Sequence, residues 1–170
     1  PPPAPPDPRT ASLGAGADIA AVTDHLYRAL HLASQNRHMD TVKALIAAGA
    51  DIAAVADRQF TALHCASQNG HTDTVKTLVA AGADIAAVND KQSTALHLAS
   101  QNGHTDTVKA LIAAVADIAA VTNRQHTALH VASQNGHTDN VKALIAAGAG
   151  RAEVSATHSE QKQIASGKGN

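Results

Sequence analysis

The chain has 170 residues, 44% of them hydrophobic and 16% charged, so it is too apolar to be disordered throughout and long enough for one folded domain. The chain has 13 Lys and Arg residues against 14 Asp and Glu residues, and it has no run of basic residues of the kind that binds the phosphate backbone of a nucleic acid. We therefore expect no nucleic-acid partner. The longest apolar run, residues 110–121, contains Asp117 and is shorter than the roughly 20 residues of a membrane-spanning helix, so we expect no membrane partner.

The first segment, residues 1–13, is rich in proline. All six Pro residues of the chain fall within residues 1–10, and X-Pro bonds favour an extended backbone over a helix. We therefore expect residues 1–13 to form a flexible tail. Because the chain begins with Pro1 rather than Met, we expect a fragment or a processed product. The single Cys65 excludes an internal disulfide and favours a reducing compartment such as the cytoplasm.

A 33-residue repeat organises residues 14–149. Its four-residue box, Arg-Ala-Leu-His or Thr-Ala-Leu-His, starts at Arg28, Thr61, Thr94 and Thr127. Residues 14–22 match residues 47–55, so a half unit precedes four units that start near residues 23, 56, 89 and 122. A fixed period of this length predicts a solenoid of stacked units.

Each unit carries the signals of two short helices separated by a turn. In the second unit, Thr61 is placed to cap a first helix, and Asn69-Gly70 stops it, because Gly adopts a left-handed conformation without steric cost. Thr72 and Asp73 then supply a hydroxyl cap and an acid at the start of the second helix. The pattern predicts two antiparallel helices in every unit, joined to the next unit by a projecting loop that we call the finger.

This unit resembles the ankyrin repeat. The resemblance rests on the Thr-Ala-Leu-His box, on a Gly-His turn at Gly70, Gly103 and Gly136, and on a Gly-Ala-Asp ending at Gly49 and Gly82. It implies an all-α ankyrin-repeat solenoid of stacked helix-turn-helix units. It also implies a non-catalytic role in binding another protein through the fingers and a concave groove beside them.

The sequence departs from the family pattern in two registers. In three successive fingers the tip Gly that the family favours is replaced, by Gln59, Gln92 and Gln125. This replacement predicts looser finger tips. Val115 stands where Gly49 and Gly82 end the second helix of other units, and a β-branched residue fits a left-handed helix end poorly. After Ala149 the repeat pattern fails, and we expect residues 150–170 to be a degenerate cap or a disordered tail.

No catalytic, metal or cofactor site is expected. Eight of the 11 His residues recur once per unit, in the box or in the Gly-His turn, and the resemblance implies that they tie one unit to neighbouring backbone by hydrogen bonds. The lone Cys65 takes the position of Leu32, Leu98 and Val131, which indicates a small core residue. No activated nucleophile, convergent pair of carboxylates or phosphate-binding loop stands outside the repeat, so we predict that the chain is not an enzyme.

Candidate partner-binding residues are expected on the surface, because a repeat protein keeps the residues that pack its units and varies those that contact partners. The residues just before the boxes are Tyr27, Phe60, Ser93 and His126, and the fingers also carry His25, Arg58, Lys91 and Arg124. The first helices end in Gln-Asn pairs, among them Gln68, Asn69, Gln101 and Asn102. Two alternatives stay open: the aromatic residues pack on a neighbouring finger, and the Gln-Asn pairs serve only the turns.

The sequence therefore predicts a protein-binding module, with a partner whose surface is acidic and partly apolar. The alternative is a structural protein, because near-identical units with uncapped ends can associate end to end between molecules and form a filament.

Overall fold

A computed structural model describes residues 25–148. The predicted tail at residues 1–13, the half unit at residues 14–22 and the predicted cap or tail at residues 150–170 lie outside this range. Within it the structure has eight α-helices: α1 (25–35), α2 (Met39–Ala47), α3 (Ala62–Gln68), α4 (Thr72–Ala80), α5 (Ala95–Gln101), α6 (Thr105–Ala113), α7 (Ala128–Gln134) and α8 (Thr138–Ala146). No helix of this part of the chain is long and apolar enough to cross a lipid bilayer.

The helices stack in two layers. From α3 onward each odd-numbered helix packs against the even-numbered helix of its own unit, α3, α5 and α7 pack on one another, and so do the even-numbered helices α2 to α8. Leu30 and Ala33 of α1 belong to the same core. The all-α repeat solenoid predicted from the 33-residue period is confirmed. Its two layers leave a first-helix face and a second-helix face on opposite sides of a thin core.

The core is a ladder of identical residues. Three units contribute one fully buried Leu from the first helix, and three contribute one from the second helix: Leu30, Leu63, Leu96, Leu78, Leu111 and Leu144. Between them lie small buried residues, Ala33, Ala66, Ala99 and Ala132, which let successive first helices approach closely. Close packing of Leu and Ala therefore suffices for a core in which no Phe or Tyr is fully buried.

Three of the first helices begin at a capping Thr, as predicted. The Thr61 hydroxyl accepts from the backbone N–H of His64, and the His64 ring accepts from the backbone N–H of Thr61. The same reciprocal pair forms at Thr94 and Thr127. Each pair satisfies two backbone donors that a helix start leaves free, which explains why α3, α5 and α7 start at the same place in their units.

The predicted hydroxyl cap of the second helices is wrong. The capping position is His71, whose side chain makes no capping hydrogen bond, and Thr72 is already the first helical residue. Its hydroxyl lies 2.9 Å from the Thr107 hydroxyl of the next unit. The Thr is therefore used between units instead of within its own helix, while Asp73 does lie in the first turn as expected.

The finger tips are tight, so the expectation of looser tips is also wrong. Gln59, Gln92 and Gln125 keep the left-handed conformation, with φ of 62°, 58° and 61°. Each tip is closed by a hydrogen bond from the Gln backbone N–H to the carbonyl three residues earlier, at 2.9–3.1 Å. Neighbouring fingers are also joined, because the Asp90 N–H donates to the Arg58 carbonyl at 3.0 Å. These bonds offset the steric cost of a side chain at positive φ.

Candidate partner-binding surface

A groove runs between the fingers and the first helices, and two cavities open into it. The first groove cavity has a volume of about 480 Å³ and is lined by residues that include Leu32, Arg58, Phe60, Cys65, Gln68 and Asn69. The second groove cavity has a volume of about 220 Å³ and is lined by residues that include Lys91, Ser93, Gln101, Arg124, His126 and Val131. The groove therefore brings together nine of the twelve residues predicted from the sequence.

Three predicted residues lie elsewhere. Asn102 is exposed at the end of α5 but lines neither cavity. His25 and Tyr27 belong to α1, so their placement on a finger is wrong. The physical reason is Arg28, which replaces the capping Thr of the other units and has no hydroxyl to stop the helix at that position. Without that stop, helical structure reaches back at least to residue 25.

The residues before the boxes pack on the box histidines of their own units. The ring centroids of Phe60 and His64 are 5.5 Å apart, and those of His126 and His130 are 6.0 Å apart. Tyr27 meets His31 edge to face at 5.8 Å. Phe60, His126 and Tyr27 are consequently half-buried, each presenting one side of its ring. Ser93 has only 9% of its surface exposed and offers a partner little contact area.

The box histidines connect successive units. His64 accepts the Thr61 N–H at Nδ1, 3.1 Å away, so its proton is on Nε2, which donates to the Ser93 carbonyl of the next unit at 3.2 Å. His97 repeats this arrangement with Thr94 and the His126 carbonyl, at 3.1 Å each. Desolvation by burial lowers the pKa of both His64 and His97, so both imidazoles are neutral at pH 7.

The histidines of the Gly-His turns connect units in the other direction. His71, His104 and His137 each place Nε2 within 2.8–2.9 Å of the carbonyl of the Gln that ends the preceding unit's first helix. The prediction that the repeated histidines tie each unit to neighbouring backbone is therefore confirmed for six of the eight: His31, His64, His97, His71, His104 and His137. His38 and His130 make no such bond within residues 25–148. Among the residues from 25 to 148, no group of three or more His, Cys, Asp or Glu side chains is arranged to hold a metal ion.

The Gln and the Asn of each Gln-Asn pair have different roles. The Asn69 amide donates to the Cys65 carbonyl at 2.8 Å and the Asn102 amide to the Leu98 carbonyl at 2.9 Å, so each Asn closes the end of its helix. Gln68 and Gln101 use their backbone carbonyls to accept from the turn histidines, while both residues are exposed along the groove. In each pair, therefore, the Asn side chain is used within its own helix, and the Gln side chain is the one available to contact a partner.

The position of Cys65, together with its equivalents in other units, is the part of the site that was not predicted from the sequence. Leu32 is 58% exposed and Cys65 is half-buried in the first groove cavity, so the expectation that Cys65 is a core residue is wrong. Burial raises the pKa of the Cys65 thiol to about 11, so it is a neutral thiol and a poor nucleophile. The available signal was the change of residue at this position, which is Leu, Cys, Leu and Val in successive units, whereas the Leu of the box is the same in all.

Comparison with known proteins gives one match. A family model described as Ankyrin repeats (3 copies) matches residues 11–89 and 82–157. No curated protein matches the chain significantly.

Proposed function

The chain belongs to the ankyrin-repeat family, and from that premise we propose that it is a non-catalytic module that binds another protein through its fingers and groove. Domains of this family are generally protein-protein interaction modules. The contact surface that we propose consists of the two groove cavities and the finger tips between them. Its candidate contacts are Arg58, Phe60, Gln68, Lys91, Gln101, Arg124 and His126, with His25 and Tyr27 at one end and Ser93, Asn69 and Asn102 as minor members.

The observation that carries this proposal is the contrast between core and groove. The box Leu is fully or almost fully buried in three units at Leu30, Leu63 and Leu96, and is half-buried at Leu129. The residue directly after the box changes from Leu32 to Cys65, Leu98 and Val131. Leu32, Cys65 and Val131 line the groove cavities, whereas Leu98 is buried, with 6% of its surface exposed. Packing explains why the core positions stay the same, but it gives no reason for changes on an open surface. Contact with a partner does.

The test is a comparison of the groove with the opposite face. We would immobilise the full chain, capture partners from the source lysate, and measure the affinity of a recovered partner for Phe60→Ala and Arg124→Ala. We expect Phe60→Ala to weaken binding by about 1–2 kcal/mol, because half-buried aromatic residues dominate binding energy. Tyr27→Ala tests whether the first unit takes part in the same surface.

The matched controls are Lys43→Ala and Lys109→Ala, which change exposed cations on α2 and α6, away from the groove. Both should leave binding nearly unchanged, and thermal unfolding of every variant should show that the fold is kept. If the lysine variants weaken binding while the groove variants do not, the second-helix face is the working surface.

A second candidate function is end-to-end assembly into a filament. It is favoured by His130, whose Nε2 has no partner within residues 25–148, whereas the matching nitrogens of His64 and His97 bind the next unit. Light scattering after size-exclusion chromatography distinguishes the two. A monomer at all concentrations supports the binding module, and polymers that grow with concentration support the filament.

A further inference from the structure

The two groove cavities are the same site built twice, two units apart. Nine lining positions of each cavity correspond at a spacing of 66 residues, which is twice the 33-residue period, among them Cys65 with Val131, Phe60 with His126 and Arg58 with Arg124. Leu32 and Arg28 line only the first cavity, and Lys91 and Ser93 line only the second. At the shared positions the cavities differ in their side chains, and only the second cavity has a preceding finger that contributes Lys91, because residue 25 at the corresponding position belongs to α1. Those differences identify the chemistry of a ligand that spans both.

The first groove cavity suits an apolar side chain. Leu32, Phe60 and Cys65 line it, and Leu32 is the most exposed of the three, with 58% of its surface accessible to solvent. The thiol is neutral, as described above. Arg28 and Arg58 line it together with Asp57, so its lining carries two cations and one carboxylate. An apolar group entering here would cover the exposed Leu32 and the open side of Phe60.

The second groove cavity suits an anion. Lys91 and Arg124 line it, no Asp or Glu is among its lining residues, and Asn123 stands where the first cavity has Asp57. His126 replaces Phe60, and Gln101 adds a polar amide. Two cations without a neighbouring carboxylate in the lining favour a carboxylate, which an Arg can bind through two parallel hydrogen bonds.

The distance between the cavities sets the spacing of the two ligand groups. Helices packed side by side lie about 8–10 Å apart, so two units separate the cavities by roughly 20 Å. An extended chain advances about 3.3 Å per residue, so this distance corresponds to about six residues.

Resting on the proposed function, we propose that the groove binds an extended acidic segment of a partner protein. An apolar side chain of that segment enters the first groove cavity, and an Asp or Glu about six residues away binds Arg124 and Lys91 in the second. This arrangement uses Phe60 and the exposed Leu32 of the first groove cavity together with Lys91 and Arg124, cations of two successive fingers that line the second.

The experiment selects peptides from a displayed library of random 16-residue segments on the full chain. Selected peptides are then synthesised and their affinities measured by fluorescence anisotropy for the unaltered chain, Leu32→Ser, Arg124→Ala and Lys109→Ala. We expect an apolar residue and an acidic residue about six positions apart to recur among them. Leu32→Ser and Arg124→Ala should each weaken binding about tenfold, and Lys109→Ala should have no effect.

A double-mutant cycle makes the pairing specific. When the acidic residue of the peptide is changed to its amide, Arg124→Ala should no longer weaken binding, because the pair it breaks is already gone. The inference is overturned, and the proposed function stands, if the groove variants bind the peptides more weakly but the peptides carry no acidic residue at this spacing. The same conclusion follows if that acidic residue shows no coupling to Arg124. Peptides that respond only to Lys109→Ala overturn both, and a selection that yields no binder overturns the inference.

Discussion

At the residue scale, the box histidine has two tasks that depend on one tautomer. In His64 and His97, Nδ1 accepts from the capping Thr and Nε2 donates to the next unit, so the same ring closes a helix start and joins two units. His31 differs, because both of its ring nitrogens face carbonyl oxygens, of Tyr27 at 2.7 Å and Phe60 at 2.9 Å. A neutral imidazole has one N–H and donates to one of them at a time.

Acid should destabilise the fold through these rings. The pKa of His64 and His97 is lowered in the folded chain, first by desolvation, with a further lowering of His64 by nearby His31 and an opposing effect of Asp117 on His97. The unfolded chain therefore binds more protons below about pH 6.5, and the free energy of unfolding falls as the pH falls from there. Denaturant midpoints measured between pH 7.5 and 4.5 test this.

The control for the pH experiment is His97→Gln. It should lower stability at pH 7 but make the dependence of the midpoint on pH shallower, because one neutral buried imidazole is gone. A midpoint that stays constant from pH 7.5 to 4.5 in the unaltered chain would contradict the prediction.

Val115 carries backbone strain that a Gly would remove. Its φ is 68°, its side chain is 89% exposed, and its N–H still bonds to the Ile112 carbonyl at 2.9 Å, so the third unit ends as the others do. A left-handed β-branched residue costs about 1–2 kcal/mol, of which the greater freedom of Gly in the unfolded chain cancels part. We expect Val115→Gly to raise the melting temperature by about 2–4 °C.

The matched control is the preceding residue. Ala114 has φ of -82°, so Ala114→Gly relieves no strain and should lower stability by about 0.5–1 kcal/mol. Calorimetry on both variants would refute the strain argument if Val115→Gly melted at or below the temperature of the unaltered chain.

At the element scale, the helices depend on their ends and neighbours. The described first helices of units two to four have 7 residues and the second helices have 9, which is too short for stability in isolation. Caps, tight turns and contacts between units hold them. The turn between α3 and α4 shows this, because Gly70 has φ of 71° and lies against the His104 ring of the next unit.

Gly70→Ala should destabilise the chain more than Gly136→Ala. Both glycines have φ of 71°, so both variants bear the same backbone strain. At residue 70 a Cβ would also overlap the His104 ring, which is held by the Gln68 carbonyl at 2.9 Å, whereas no atom of the described residues lies within 4 Å of a Cβ at residue 136. We expect a difference of about 1 kcal/mol, the net value of one hydrogen bond, in chemical denaturation. Equal losses would mean that His104 moves aside freely.

At the scale of the whole molecule, stability is distributed along one dimension. Within residues 25–148 successive units contact each other, and a hydrogen bond from the box histidine to the next unit recurs at all three junctions. The free energy of unfolding is then approximately a sum over units and junctions. This construction allows the groove residues to vary along the stack, because no groove side chain is needed to hold distant units together.

A core substitution should therefore cost more in a central unit than in the last one. Leu111 and Leu144 occupy the same position in α6 and α8 and are both fully buried. Leu111→Ala should lower the free energy of unfolding by about 2–5 kcal/mol, because it leaves a cavity between two neighbouring units. Leu144→Ala should lower it less, since the last unit can open by itself.

Hydrogen exchange distinguishes local from global opening in this pair. Leu144→Ala should speed exchange in α7 and α8 while α3 to α6 stay protected, and Leu111→Ala should speed exchange in every described helix. Uniform acceleration in both variants would show that the chain unfolds as one cooperative block instead.

The sequence by itself determined the period of the units, the pairing of helices and the Thr caps at which three of the first helices begin. These features follow from local signals repeated every 33 residues: a capping Thr such as Thr61, a turn Gly such as Gly70, and a buried box Leu such as Leu63. Each signal acts over a few residues of backbone, so its effect is readable without knowledge of the fold. The family follows from the same signals.

Only the tertiary structure decided what depends on atoms far apart in the chain. The bond from His64 to Ser93 spans 29 residues and that from His71 to Gln35 spans 36, and such contacts fix tautomers and align the units. The same holds for the tight tip at Gln92, whose finger bonds to its neighbours, and for Cys65, which the packing of the units leaves half-buried in the first groove cavity. Local sequence specifies the unit, and the stacking of units specifies the surface.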